Sequence, residues 1–276
     1  MARKSLIAAL VLMLMFSMGV FAFPYISNAV YNRNKLQTKV YYEQQSSSLS
    51  QEEINQRIEE ARLYNQQLID SGVVLTEPFD PIQEDLDEKY FSMLNDTEEM
   101  GYISIPSLDL NLPIYHSTDE EVLEKGVGHL YHTSLPVGGQ STNCVLSAHC
   151  GLPNAELFTH LDKLKNGNTF TIQVYNETYT YEVYDKAVVD PEDVSSLYIQ
   201  PGKDIVTLIT CTPYGVNTHR LLVFGKRVKD KDVESVLKQE PEINDSIEPQ
   251  DILNIVFIFV CILFFIIFIV LFIKRR

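Results

Sequence analysis

Two uncharged apolar runs bracket the chain. Leu6 to Phe23 follows Arg3 and Lys4, and Ile252 to Ile273 precedes Lys274, Arg275 and Arg276. About 20 apolar residues cross a bilayer core, so the second run predicts a membrane span. The first fits a cleavable leader or a retained anchor; Ser27-Asn28-Ala29 makes a weak cleavage site, and the run reads as an anchor. Basic residues outside both ends predict cytoplasmic termini, with 31–251 on the outer side.

Between the runs the periodicity changes. Tyr31 to Ser50 is polar and ends in Ser46-Ser47-Ser48-Leu49-Ser50, a linker by composition. Ser50 and Glu53 form a capping box. Ile54, Ile58, Ala61 and Leu68 then recur on one face, which predicts a helix to about Asp70, ended by Gly72. Thr76 to Thr97 is acidic, and Pro78 and Pro81 exclude a regular helix or inner strand there, so it reads as a loop.

From Gly101 the period shortens to two. Phe170, Ile172 and Val174 alternate with polar residues, and the alternation resumes after Asn176-Glu177 with Tyr179, Tyr181 and Val183. Tyr102 to Ile105, Leu112 to Tyr115, Asn143 to Ala148, Asp185 to Val189, Ile205 to Cys211 and His219 to Arg227 are further strand candidates. With a brief helix near Ala155 to Leu164, they predict a mostly β protein, a closed barrel with a few short helices. The expected organisation is an anchor over 1–30, a linker, helix and loop over 31–99, the barrel over 100–228, a charged tether over 229–250, and a second membrane helix with a basic tail over 251–276.

Charge narrows the partners. Setting aside the five flanking basic residues, 17 of the 22 Lys and Arg face 37 Asp and Glu between Tyr31 and Asp251. So acidic a segment excludes nucleic-acid binding, which needs clustered cations. Four cysteines do not make a disulfide framework: Cys261 lies in the second apolar run, leaving Cys144, Cys150 and Cys211, an odd number with at least one free thiol.

The segment from Val206 to Val223 concentrates the chemistry. A β-rich run delivers Cys211 to its end, Pro213-Tyr214-Gly215-Val216-Asn217 reverses the chain, and the next strand returns Arg220. An arbitrary Cys and Arg would be a buried core thiol and a surface cation. Here Thr210-Cys211-Thr212-Pro213-Tyr214-Gly215-Val216-Asn217-Thr218-His219-Arg220-Leu221-Leu222-Val223 resembles the active-site strand pair of class C, or pilus-assembling, sortases. The resemblance extends over about Met100 to Val228, including Ser134-Leu135-Pro136-Val137-Gly138-Gly139 and Val145-Leu146-Ser147-Ala148-His149-Cys150-Gly151-Leu152-Pro153. It implies a sortase-type barrel with His149, Cys211 and Arg220 as the catalytic set. Ala148 and Cys150 depart from it, since many members carry Gly and Arg at those places.

These roles suit the residue types. A thiol has a pKa of about 8.5, and nearby positive charge raises the fraction of thiolate, the nucleophilic form. An imidazole can protonate a leaving amine and deprotonate an incoming one. A forked guanidinium suits an oxyanion. Adjacent strand residues face opposite ways, so only one of His219 and Arg220 can address Cys211; the resemblance selects Arg220 and leaves His219 structural. Cys144, His149, Cys150, Cys211 and His219 include zinc-ligand types, but no Cys-x2-Cys pair exists and no metal is expected. His129 and His132 read as packing or hydrogen-bonding residues in a loop.

Class C sortases commonly carry a lid with an Asp-Pro-aromatic motif, and this chain has Glu77-Pro78-Phe79, with Asp80-Pro81-Ile82 as an alternative register and a plain acidic linker as the bland alternative. The resemblance further implies cleavage of a Leu-Pro-x-Thr-Gly-like sorting signal between Thr and Gly, a thioacyl enzyme, no cofactor, and pilin subunits with an acceptor lysine as partners. Rival readings are a sortase that anchors proteins to a peptidoglycan precursor and a non-catalytic membrane-anchored scaffold. A papain-like protease is disfavoured, because there the Cys precedes the His on a helix.

Overall fold

The computed structural model describes residues 2–71, 84–152 and 155–237. The chain divides into two units, and the larger, Asn32–Ile243, holds the barrel and the candidate site. Its centre is an eight-stranded closed barrel in the order β1-β2-β3-β4-β7-β8-β6-β5. The strands are β1 (Gly101–Ile105), β2 (Leu110–His116), β3 (Val127–His129), β4 (Thr142–Ser147), β5 (Thr169–Val174), β6 (Glu177–Val189), β7 (Asp204–Thr212) and β8 (His219–Arg227). Closure leaves no unpaired edge. Two neighbours, β2 with β3 and β4 with β7, run parallel; the rest are antiparallel.

Alternation fills the interior. Ile103 and Ile105, Leu112 and Ile114, Phe170, Ile172 and Val174, and Val206 and Leu208 are all essentially inaccessible. Phe170 stacks on Tyr181 with ring centroids 5.6 Å apart. Gly225 is required beneath this stack, because a Cβ there would lie 2.4 Å from Phe170 Cζ.

Several expectations need correction. The stretches at Tyr179 to Val183 and Asp185 to Val189 are one strand, β6, with a register shift between Val183 and Asp185. The short strand β3 is too brief to leave a periodic signal. Near Ala155 to Leu164 only a single 3-10 turn, Leu161–Lys163, is helical.

The N-terminal part is more helical than its composition suggests. α1 (Ala2–Ser48) includes the first apolar run and continues through the serine-rich segment expected to be a linker. It does so because Tyr42 is 1% exposed against the barrel, with its hydroxyl accepting from the Tyr175 N–H at 2.6 Å. α2 (Gln51–Ser71) begins at the expected capping box: the Glu53 N–H donates to Ser50 Oγ at 3.3 Å, and the Ser50 N–H to Glu53 Oε2 at 2.8 Å. Ile54, Ile58 and Ala61 are buried as expected, joined by Tyr64 and Asn65.

α3 (Glu84–Ser92) interrupts the region expected to be loop. Tyr90 is its anchor and is fully buried. Burial of one aromatic outweighs the acidic, proline-containing context. Among the described residues no helix is long and apolar enough to cross a membrane. The second apolar run, the tether beyond Leu237, and Glu77, Pro78 and Phe79 lie outside the described residues.

Candidate active site

Cys211 owes its place to β7, a central strand paired on both sides. Residues Ile205 through Thr210 are buried, and the strand emerges from the core at Cys211, which is half-buried. Its antiparallel partner on β8 is Arg220. Directly opposite residues project to the same face with Cβ atoms about 5 Å apart, so guanidinium and thiol share one side of the sheet. The reversal between the strands is tight: the N–H groups of Val216 and Asn217 both donate to the Pro213 carbonyl, at 3.0 and 2.9 Å. Gly215 and Asn217 take the left-handed conformation this turn needs.

His149 arrives from the other flank. β4 runs parallel to β7 in a register that ends at Ser147 opposite Ile209. Beyond the strand, the Ala148 N–H donates to the Ile209 carbonyl at 3.2 Å and Thr210 Oγ1 donates to the Ala148 carbonyl at 2.8 Å. The chain therefore tracks β7 for one further residue, bringing His149 level with Cys211.

The three side chains line one cleft of about 280 Å³. Its apolar floor is Leu130, Leu197, Ile209 and Leu222, part of the buried cluster beneath β4, β7 and β8. Glu120 and Asp193 supply acidic walls. Arg220 Nη1 also donates to the backbone carbonyls of Asn217 and His219 at 3.4 and 3.3 Å, which steadies the guanidinium at the cleft mouth. His149 Nε2 lies 3.4 Å from Glu120 Oε1.

The remaining histidines and thiols stand apart. His219, on the opposite face of β8, is exposed, with Nδ1 2.9 Å from Thr218 Oγ1 and Nε2 3.5 Å from Asp190 Oδ1. His129 ends β3, not a loop, and is fully buried. Its Nε2 donates to the Ser134 carbonyl at 2.9 Å and its Nδ1 accepts from the Tyr90 hydroxyl at 2.9 Å, a tautomer assigned from these partners. Burial pushes its pKa down to about 4. His132 packs against the Tyr131 ring.

Cys144, Cys150 and Cys211 are free thiols. Cys144 is buried within β4, and burial drives its thiol pKa well up. Cys150 is half-buried, with its pKa raised first by burial and second by nearby Cys211. Glu120 and Asp193 were not legible as cleft residues, since only the closed barrel brings α4 (Glu120–Leu123) and the β6–β7 connection to the end of β7.

Comparison with known proteins places this architecture. Residues 103–228 match the sortase domain family. Sortase D of Bacillus subtilis is 32% identical over 131 residues, a match covering 46% of this chain and 63% of that relative's length. The crystal structure of sortase C-1 from Actinomyces oris is 45% identical, with a TM-score of 0.61, covering 64% of this chain and 99% of that one. The pilus-related sortase C of Group B Streptococcus is likewise 45% identical, with a TM-score of 0.61, covering 69% of this chain and 97% of that one. With Cys211 and Arg220 paired across two strands of such a barrel, the chain belongs to the sortase family, as a class C sortase.

Proposed function

We propose that the chain is a pilin-polymerising cysteine transpeptidase in which Cys211 is the nucleophile, His149 the acid and base, and Arg220 the oxyanion donor. The single observation that supports it most is the cleft shared by these three, with Cys211 opposite Arg220. Sortases are cysteine transpeptidases by family, and the Group B streptococcal relative is pilus-related.

In this reading the Cys211 proton passes to His149 and the thiolate attacks the threonine carbonyl of a Leu-Pro-x-Thr-Gly-like signal. Charge develops on the carbonyl oxygen beside the Arg220 guanidinium, whose planar fork of N–H donors suits an oxyanion. Collapse breaks the Thr–Gly bond as His149 returns its proton to the leaving glycine amine, and the pilin is held as a thioester. A lysine amine of the next subunit then attacks, its proton goes to His149, and the Cys211 thiolate leaves with an isopeptide bond formed. The apolar floor excludes water, the competing acceptor.

Three further readings belong to this proposal. The apolar runs anchor the chain, with both termini cytoplasmic and the barrel outside the cell membrane. Glu77, Pro78 and Phe79, by the resemblance to class C sortases, serve as the lid of the site. The partners are pilin subunits bearing the sorting signal and an acceptor lysine.

The test is co-expression with a pilin carrying such a signal. Wild type gives covalent ladders joined through lysine, and Cys211→Ala gives none. Product linked instead to a peptidoglycan precursor would replace the pilin acceptor by the cell wall, and ladders from Cys211→Ala would remove the nucleophile assignment.

A further inference from the structure

Glu120 touches the site through one atom of His149. Nε2 of that ring is buried and makes no hydrogen bond among the described residues, and the Glu120 carboxylate oxygen stands 3.4 Å away. At this distance the contact is a charge contact and not an aligned hydrogen bond. It gains its full strength only when the imidazole is protonated.

The root of Glu120 is fixed while its carboxylate is free to respond. Glu120 is the first residue of α4, whose opening turn is closed by the Asp119 carbonyl accepting from the Val122 and Leu123 N–H groups at 2.9 and 3.0 Å. Ser117 Oγ donates to Asp119 Oδ2 at 2.7 Å, and the Ser117 N–H donates to the buried Tyr90 hydroxyl at 3.0 Å. Leu123 is buried below. The Glu120 side chain itself is 75% exposed, which for a surface carboxylate would ordinarily mean solvation alone; the adjacent unpartnered imidazole nitrogen argues otherwise.

The other charged or titratable groups of the cleft are Cys211 from β7, Arg220 from β8 and Asp193 from the β6–β7 connection. Asp193 is engaged by the Ser195 N–H at 3.0 Å. Glu120 is thus the carboxylate seated against the His149 ring.

We propose that Glu120 is a positioning residue for His149: it orients the imidazole and stabilises the imidazolium formed first when Cys211 and then when the acceptor amine gives up its proton. An interaction stronger in the charged state than in the resting one lowers the barrier without tightening substrate binding. This rests on the transpeptidase reading of the cleft.

The test uses the full chain in detergent, a sorting peptide and a lysine-bearing acceptor peptide, with wild type, Glu120→Gln and Glu120→Asp compared. Expected for Glu120→Gln is a fall of about tenfold in kcat for both acyl-enzyme formation and transfer, as fits a charge contact between a largely exposed carboxylate and a mostly buried imidazole. The acceptor KM and the melting temperature stay at wild-type values, and Glu120→Asp recovers part of the loss. Wild-type rates in Glu120→Gln would overturn the proposal, as would an acceptor KM that rises at constant kcat, since Glu120 would then bind the amine. A wild-type chain that forms no thioester at Cys211 would overturn the transpeptidase reading itself, and this one with it.

Discussion

Cys211 and Arg220 face each other as direct partners across the antiparallel β7–β8 pair, one at the half-buried, next-to-last position of its strand and the other at the second residue of the next. Sheet register, not side-chain flexibility, brings the guanidinium to the thiol. Arg220→Ala is expected to lower kcat for acyl-enzyme formation by about 100 to 1,000-fold. Arg220→Lys, which keeps the charge and loses the fork, recovers only part of this. Pre-steady-state kinetics with a sorting peptide measures both, and wild-type kcat in either variant would show that the oxyanion lies elsewhere.

Asn65 and Leu135 form a second defined pair: the Asn65 side chain donates to the Leu135 carbonyl at 3.2 Å and accepts from its N–H at 2.7 Å, all buried. A side-chain amide thus completes the backbone of the Ser134-Leu135-Pro136 turn and ties α2 to the barrel. Asn65→Leu leaves two buried backbone groups unpaired, at a cost on the order of 2–4 kcal/mol. Thermal unfolding should shift down by roughly 5–15 °C. An unchanged transition would mean that α2 contributes nothing to the barrel's stability.

His129 sets an acid limit. Its folded pKa of about 4 lies below the unfolded value of about 6.5, so between those values the unfolded chain binds a proton that the folded protein refuses. Stability is therefore complete above about pH 6.5 and falls as pH drops toward 4, by up to on the order of 3 kcal/mol. His116, whose pKa burial also lowers, acts in the same direction. Urea unfolding between pH 7 and 4.5 should show this slope, and His129→Gln should flatten it even if it lowers stability at every pH. A variant with the wild-type slope would assign the acid limit to other groups.

The strand pattern was legible because alternation survives in the sequence wherever one face is core, as in Phe170, Ile172 and Val174. The shared cleft of Cys211, Arg220 and His149 was legible through a local motif and a resemblance. What escaped depends on distant packing. α3 was hidden by its acidic context, and only the Ser117 N–H and His129, each bonded to Tyr90, explain why it is helical there. The polar segment before Ser50 is helical because Tyr42 finds Tyr175, 133 residues further along. Glu120 has no sequence signal toward His149, since β3 and β4 separate them in the chain and barrel closure reunites them.

The environment of the thiols separates them chemically. Cys144 is buried, with its pKa driven well up by that burial, and Cys150 is half-buried with its pKa raised, so neither is poised as a thiolate. Cys150→Ala is expected to keep at least half of wild-type transfer activity in a peptide-ligation assay. A loss above tenfold would make Cys150 part of the reaction.

The central claim is that Cys211 carries the acyl group. Incubating the full chain in detergent with a sorting peptide and no amine, then quenching in acid and mapping by mass spectrometry, tests it most directly. The predicted result is a single thioester to the peptide's threonine on Cys211, discharged on addition of a lysine-bearing acceptor and absent in Cys211→Ala. An acyl group on Cys150 or Cys144, or peptide cleavage by Cys211→Ala, would contradict it.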